Sequence, residues 1–452
     1  MAVPTLRCVL AALVLSACTA GSGPEPAAPE SPTRPNFLVI DIDSFGADWL
    51  LAERDGARIA PTMTMLASRS QRFTRAISQA GWTLPAAYSL LTGHYPLLLN
   101  VVDNTHPAWD GNTRSLAETL GYYGYRSVAY WGHTSLGPNQ LGRGFGSTAT
   151  TEQGDYTVPL SAWIAEEPER PFFAYVHNID LHYAPIPTAA LHLYEPAIFG
   201  CTGGHLMTEE YEAIVGKVGD AAAHTHMVAH YEARIHAFDA VVADLLNQLG
   251  ASGVANDTVI VLTSDHGEDL GDHVMYAHSV LFDTVLRIPL LIWDPTRKPG
   301  EVDTMVQTID LAPTILARAG IPADRTMDGQ SLLPLMQPES PADGSYEERV
   351  VYSVTTTLTS ARTRTSKGIR ASVAPGAGSG RRFYDLLADP GERHALDEAA
   401  PGAAALFAGL EAWHEERAIA TGLVPRVELL EAQKKDLQQR GYFQLLDKSG
   451  TP

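Results

Sequence analysis

Cysteine is scarce, with 3 in 452 residues, at positions 8, 18 and 201. So few cannot make a disulfide framework, and stability must come from the core. Long apolar runs are missing as well. No stretch approaches the roughly 18 uninterrupted apolar residues of a membrane-spanning helix. Positive charge is in short supply, 32 Lys and Arg against 52 Asp and Glu, for a formal net charge of −20. Such a surface field repels a nucleic-acid backbone and a bare anionic bilayer. No nucleic acid is therefore expected as a partner, while a small anionic ester stays within reach of a local cluster of His and metal. No internal repeat is evident. What is present is an ordinary globular composition, 45% hydrophobic and 19% charged, with a length that suits two or three structural units at roughly 100–200 residues each.

Residues 1–17 carry one early cation (Arg7), an apolar run from Val9 to Leu15 and no acid, and lead into Leu15-Ser16-Ala17-Cys18. That is the pattern of an export signal peptide. LSAC resembles the bacterial lipobox, which implies that Cys18 becomes the lipidated first residue; a plain signal peptide with Cys18 incidental is the alternative. Residues 18–34, rich in Pro, Gly, Ser and Glu, read as a solvated tether. The expected setting is an exported bacterial lipoprotein of the cell envelope, at the outer membrane or the periplasmic face, held to the membrane by its lipid anchor. With Cys8 cleaved away and Cys18 lipidated, Cys201 remains as a lone loop thiol.

Asn36–Asp43 (NFLVIDID) is a near-continuous apolar and β-branched run ending in carboxylates, as expected of a buried parallel strand. Ser127–Trp131, Pro171–His177 and Thr258–Ser264 repeat the pattern. Between them, Ala60–Arg69, Ser115–Tyr122 and Ala221–Leu249 carry apolar residues at three and four spacing. The alternation predicts an α/β fold, a mostly parallel doubly wound sheet with helices on both faces, as a catalytic domain over residues 35–340. Beyond it the composition turns polar. Short strands at Val350–Thr356 and Arg382–Leu386 and a helix at Ala403–Ala418 predict a smaller C-terminal α+β subdomain over residues 341–452, with terminal helices. Ligands of such sheets bind beyond the carboxyl ends of the strands. Ionisable residues gather at those ends: Asp41 and Asp43, His133, His177 with Asp180 and His182, and Asp265 with His266.

Asp43, Asp265 and His266 offer two carboxylates and an imidazole, a ligand set suited to Zn²⁺ or Mn²⁺ and less natural for Ca²⁺, which prefers oxygen alone. One divalent ion is expected, with Asp180 and His177 as candidates for a second site. Thr83 lies in Gly81-Trp82-Thr83-Leu84-Pro85, a turn ahead of an expected helix at Ala86–Leu91 whose N-terminus favours an anion. An alcohol is almost fully protonated at neutral pH, but a coordinated cation lowers the pKa of a bound oxygen acid and makes it a nucleophile. Thr83 is thus both a metal ligand and a catalytic candidate. His133, His182 and His278 suit binding of the ester's non-bridging oxygens or protonation of the leaving group. The plainer readings are that Asp43 ends a strand, Asp265-His266 is a surface turn, and Thr83 caps a helix through its hydroxyl. His226 and His230, at i, i+4 spacing, could bind zinc but lack a flanking Glu. Glu268 and Asp269 read as solvated or as supports behind the site rather than as catalytic groups.

At these residues the chain resembles the sulfatase family of the alkaline phosphatase superfamily, over most of Asn36–Leu396. NFLVIDIDSFG is similar to the family's first strand, where an Asp at the Asp43 position binds metal. APTMTMLASRSQRF looks like the helix leading to the nucleophile, and TLPAAYSLLTGHYP resembles the signature Cys-x-Pro-x-Arg with its Leu-Leu-Thr-Gly ending. SDHGEDLGDHVMYAHSVLFDTVLRIPLLI matches the second metal motif, which implies Asp265 and His266 as ligands. IDLAPTILARAGI, DGQSLLPLM and FYDLLADPGERHAL resemble the following helix, the next segment and the C-terminal hairpin. The likeness implies an alkaline-phosphatase-like fold.

The departures shape the chemistry. Thr83 stands where the family has a Cys or Ser that is oxidised to formylglycine, and Ala87 replaces the supporting Arg. His133 and His278 occupy Lys positions, Ser44 that of a second metal-binding Asp, and His266 that of an Asn. His182, in IDLHYAP, resembles a substrate-binding His. Thr cannot form the aldehyde, and with an Asp-His pair it looks more like the phosphotransferase and phosphodiesterase branch. The resemblance therefore implies attack of Thr83 on the phosphorus of a phosphate mono- or diester, giving a phospho-Thr that water or an alcohol resolves. Two alternatives stand beside it: a sulfuric ester hydrolase using unmodified Thr, and a non-catalytic lipoprotein that holds an anionic ligand such as a glycan or lipid head group. Residues 181–222 are the expected substrate-side wall. The sequence names neither the ester nor an oligomeric state.

Overall fold

The computed structural model describes residues 34–99, 101, 104, 113–132, 136, 140–151, 155–183, 190, 220–273, 276–337, 346–371 and 380–421. Cys18, Cys201, His133 and most of the expected wall lie outside the described residues. Strands β1 (Asn36–Ile42), β2 (Gln71–Ile77), β3 (Arg126–Trp131), β4 (Ser147–Thr150), β5 (Phe172–Asn178), β6 (Thr258–Thr263), β7 (Arg287–Trp293) and β8 (Gly300–Gln307) form one sheet. Its order is β8-β2-β7-β6-β1-β5-β3-β4. Only β7 runs against its neighbours β6 and β2; the other pairings are parallel. The fold is thus the mixed α/β architecture with a mostly parallel central sheet.

The pleat explains why the central strands are apolar without a break. Phe37, Val39, Phe173, Tyr175, Val259 and Val261 enter one core, while Leu38, Ile40, Ile42, Val176, Ile260 and Leu262 enter the other. The first core is closed by α2 (Thr83–Thr92), α3 (Leu116–Tyr122) and α6 (Leu311–Arg318). The second is closed by α1 (Pro61–Arg69), α4 (Thr157–Glu166) and α5 (Ala221–Ala251). Each fully buried Leu, Ile or Phe contributes about 1.5–3 kcal/mol relative to exposure, so the sheet is a rigid platform. Local chemistry sets the helix ends. Ser115 and Glu118 make a capping box on α3, the Asp220 carboxylate accepts from the Ala222 and Ala223 amides at 2.9 Å each, and Gly93 closes α2 at φ 73°.

The segment APTMTMLASRSQRF is not one helix. It ends at Arg69, Ser70 turns extended with φ −107°, and Gln71 opens β2, which alternates buried Phe73 and Ala76 with more exposed neighbours. The C-terminal unit is an antiparallel meander of β9 (Val351–Val354), β10 (Leu358–Arg362), β11 (Ser366–Ala371) and β12 (Arg381–Asp385), with α7 (Ala403–Thr421) against it. It joins the main domain through a bridge between Ala80 and Val354. A second link is the fully buried Lys367, which pairs with Asp283 at 2.9 Å and Glu392 at 2.8 Å. Among the described residues no helix is long and apolar enough to cross a membrane.

Candidate active site and metal centre

Three neighbouring strands deliver the chemistry at their carboxyl ends. Asp41 lies opposite His177 of β5 and Thr263 of β6, so the residues just past those positions, Asp43 and Asp265-His266, emerge at one edge. All are buried: Asp43, His177 and His266 are 0% exposed and Asp265 1%. His266 Nε2 stands 3.4 Å from Asp265 Oδ2 and 3.9 Å from Asp43 Oδ1. His177 Nε2 is 3.8 Å from Asp43 Oδ2 and 3.9 Å from Asp265 Oδ2. Thr83 Oγ1 sits 3.4 Å from both Asp43 Oδ2 and His266 Nε2. The four residues expected as ligands therefore come together.

The loops that hold them are stapled by side chains. Ser44 takes a left-handed φ of 62°, uncommon without glycine. Its hydroxyl donates to Asp43 Oδ1 at 2.8 Å, and its amide to Asp265 Oδ1 at 3.3 Å. Ser264 Oγ accepts from the Phe45 amide at 3.1 Å and donates to the Ile42 carbonyl at 2.5 Å. From α5, the Tyr231 hydroxyl donates to the Ser44 carbonyl and accepts from the Gly46 amide. Thr83 does not sit in a turn ahead of the helix, as its sequence context suggested. It is the first residue of α2, after an extended Trp82, with its hydroxyl at the positive end of the helix.

Burial and crowding set the charges. Burial, then the neighbouring Asp265, pushes the Asp43 carboxyl above its ordinary value. The same two causes lift Asp41 to about 7, against a hydrogen bond from the Tyr175 hydroxyl. Burial pulls His177 down, but the Asp265, Asp41 and Asp43 carboxylates outweigh it and raise it to about 9. Among the described residues, Asp265 Oδ2 and both ring nitrogens of His177 are buried with no hydrogen bond. Carboxylate oxygens and an imidazole without hydrogen bonds around one point are what a divalent cation satisfies, and binding one would displace the proton that the carboxylates hold on His177. Asp43, His177 and Asp265 make a mixed O and N set that could hold a divalent ion. His177 therefore belongs with Asp43 and Asp265 and not with Asp180, whose carboxylate accepts from the Asn178 amide group at 3.1 Å beyond the strand end.

Beside this cluster lie His182, His278 and Glu268. The His266 and His278 rings stack, with centroids 4.3 Å apart at 11°. His266 Nδ1 is 2.9 Å from the Gly267 carbonyl and His278 Nδ1 3.0 Å from that of Gly81. Each Nδ1 therefore carries the proton, and each Nε2 presents a lone pair. Burial lowers His266, and burial with the adjacent His266 lowers His278 to about 4. A neutral His278 with its one N–H committed is poorly suited to protonating a leaving group. Glu268 is half-buried rather than a solvated acid, and burial pushes its carboxyl well up. Asp269 is fully buried and meets His273 Nδ1 at 2.6 Å. His226 and His230 face each other on α5, rings 4.5 Å apart. No acid joins them in a ligand cluster among the described residues.

The family described as Sulfatase matches residues 35–321, and that described as N-sulphoglucosamine sulphohydrolase, C-terminal, matches residues 271–412. Arylsulfatase K of Gallus gallus is 24% identical over 448 residues, spanning 85% of this chain and 82% of that protein. The Xenopus laevis arylsulfatase K is 34% identical over 113 residues, 25% of this chain and 21% of its own length. A protein solved in complex with its substrate D-glucosamine-2-N,6-O-disulfate superposes with TM-score 0.67 at 19% identity, over 86% of this chain and 98% of that one. The phosphonate monoester hydrolase of Agrobacterium radiobacter gives 0.62 at 20% identity, over 88% and 99%. These likenesses place the fold.

Proposed function

Because the chain belongs to the sulfatase family and is an ester hydrolase of the alkaline phosphatase superfamily, we propose that it cleaves a phosphate mono- or diester with unmodified Thr83 as nucleophile. The observation that carries this reading is the Thr83 hydroxyl 3.4 Å from Asp43 and His266 at the N-terminus of α2. Thr83 takes the place at which the family forms formylglycine, an aldehyde that Thr cannot yield. Asp43, His177, Asp265 and His266 would hold a divalent cation, which supplies charge neutralisation and acidifies the Thr83 hydroxyl. Asp43 Oδ2 faces that hydroxyl and is positioned to take its proton. The Thr83 oxygen then bonds to phosphorus as the bond to the leaving oxygen breaks, and the leaving oxygen collects a proton from solvent. The α2 N-terminus favours charge on the phosphoryl oxygens. Water or an acceptor alcohol attacks the phospho-Thr and restores the hydroxyl. The substrate class is a small anionic ester or a lipid or glycan head group.

Sulfate ester hydrolysis is the second reading, favoured by the names of the sulfatase relatives. It asks more of the site. A hydrated aldehyde expels sulfate through its own second hydroxyl, whereas a sulfated Thr needs an outside water. Aryl phosphodiesters and aryl sulfates with matched leaving groups, assayed with Mn²⁺ or Zn²⁺, decide between them. Faster phosphodiester turnover, reduced about 10³-fold or more in Thr83→Ala, supports the first reading, and a preference for sulfate reverses the order. The lipobox reading has its own test. Cys18→Ser should release soluble protein, and continued membrane retention contradicts it.

A further inference from the structure

We infer that a cavity at the sheet edge opposite Thr83 binds a fatty carboxylate, a role that goes beyond the phosphoester reading and does not depend on it. The cavity measures about 550 Å³, within the roughly 300–1,000 Å³ of small-ligand sites. It opens between the carboxyl ends of α1 and α5 and the end of β7. Trp293, at that end, pairs with Ile260 near the start of β6, whereas Asp265 follows the finish of β6. The cavity and the catalytic cluster therefore lie at opposite ends of the same strand.

The wall is hydrocarbon. Met65 and Leu66 of α1, Leu246 and Leu249 of α5, and Trp293 supply it, and of these Met65, Leu246 and Trp293 are only partly buried. The fold thus leaves contiguous apolar surface against water, which a ligand's own apolar body would cover favourably. Four polar side chains also line the cavity: Arg69, Asn256, Asp294 and Arg297. Asp294 is buried and already satisfied, by Arg318 at 2.6 and 3.2 Å and by the Thr296 amide at 3.0 Å. It asks nothing of a ligand. The other three reach solvent in whole or in part. A ligand rich in polar atoms along its length would leave them unpaired against this wall, so the surface selects plain hydrocarbon with its polar group at one end.

The rim sets the sign of that group. Arg69, the last residue of α1, is exposed, and its guanidinium makes no ion pair or hydrogen bond among the described residues. Arg297 stands 3.3 Å from the Asp294 carboxylate that Arg318 already holds, and its buried Nε makes no hydrogen bond among the described residues. Two guanidinium groups with donors to spare complement one carboxylate, whose oxygens fit the planar fork of N–H groups. The chain of the ligand then lies along Leu246, Leu249 and Trp293, with its head at Arg69 and Arg297.

Dodecanoate, kept below its micelle concentration and titrated into the full-length protein by calorimetry, tests the site. One saturable equivalent is expected. Arg69→Gln, an exposed change, should weaken it about 10-fold, and Leu246→Trp, which fills the cavity, should abolish it. Dodecanol, which lacks the charge, should bind the wild type about 10-fold more weakly than dodecanoate and be indifferent to Arg69→Gln. Dodecanoate brominated along its chain should quench tryptophan emission, and less so in Trp293→Phe; this readout serves where Leu246→Trp fails to fold. No dodecanoate binding, an affinity unmoved in either variant, or dodecanol binding as tightly as dodecanoate overturns the site. Two further outcomes overturn it in favour of other occupants: a dimer in sedimentation that Leu246→Trp dissociates, which assigns the face to a second copy, and binding to anionic phospholipid vesicles without binding of free dodecanoate, which makes it a membrane contact.

Discussion

At the scale of the residue, the hydroxyl of Thr83 matters because of what crowds it. It has a carboxylate and an imidazole at 3.4 Å in surroundings where Asp43 and His266 are themselves pushed from their ordinary values by burial. Thr83→Ser keeps the oxygen and should keep measurable turnover, whereas Thr83→Ala should not; steady-state assays of both show whether the oxygen or the fold is at stake. Asp265→Asn removes one anion from a set whose Oδ2 makes no hydrogen bond among the described residues. Calorimetry should show weaker Zn²⁺ binding by about 10-fold or more, and unchanged affinity contradicts the ligand assignment. Thr83, Asp43, Asp265 and His266 were candidates from sequence because carboxylates and an imidazole follow the apolar strand patterns and because the motifs around all four resemble those of the sulfatase family. His177 and Glu268 could not be placed. A strand end fixes which edge a side chain reaches but not which neighbour it meets, and that is settled by β1 lying between β5 and β6.

At the scale of the element, the loop before α2 is the tightest place in the site. A Cβ on Gly81 would stand 2.4 Å from the His278 carbonyl oxygen and 2.8 Å from that of Val280. Both are backbone atoms that cannot rotate away. Gly81→Ala should therefore displace His278 and lower both turnover and melting temperature, and normal values for both would show that the loop yields. Helix α5 carries a pH dependence of its own. Burial, then Arg234 and His226, lowers His230 to about 3 from 6.5. The unfolded chain then binds a proton that the folded chain refuses, so stability falls as pH drops from about 6.5 toward 3. His230→Gln should flatten that slope in urea unfolding, and an unaltered slope contradicts the assignment. The central strands β1, β3, β5 and β6 were legible because burial on both faces leaves unbroken apolar runs. β2 was not: its Arg72, Thr74 and Arg75 interrupt the run, and the helical spacing before it carries on across Ser70 without a Gly or Pro to mark the end.

At the scale of the whole molecule, the C-terminal sheet is pinned to the catalytic loop. Burial raises Asp283, but Lys367 and Arg362 outweigh it and hold its carboxyl well below the usual range. Asp283 follows His278 by one short loop, so the clamp bears on the site. Lys367→Met leaves Asp283 and Glu392 facing each other with one cation fewer. It should cost about 3–5 kcal/mol by denaturant unfolding and reduce turnover as well. Stability unchanged within error would mean that the two units are held by their apolar contacts alone. The α/β class was visible in composition and periodicity, as were β9, β12 and α7 of the C-terminal unit, while β10 and β11 were not. The attachment of the two units was not visible either, because a buried Lys between two acids has the same sequence signature as a solvated one.

The account turns on a covalent Thr83. The most direct measurement is peptide mass spectrometry of enzyme acid-quenched during turnover of an aryl phosphodiester with Mn²⁺ or Zn²⁺. A phosphoryl group that still carries the diester's retained ester substituent, on the peptide containing Thr83 and absent from Thr83→Ala, is the expected result. An enzyme that turns over with Thr83 unmodified at every quench time, or a Thr83→Ala variant that turns over as fast as wild type, contradicts it.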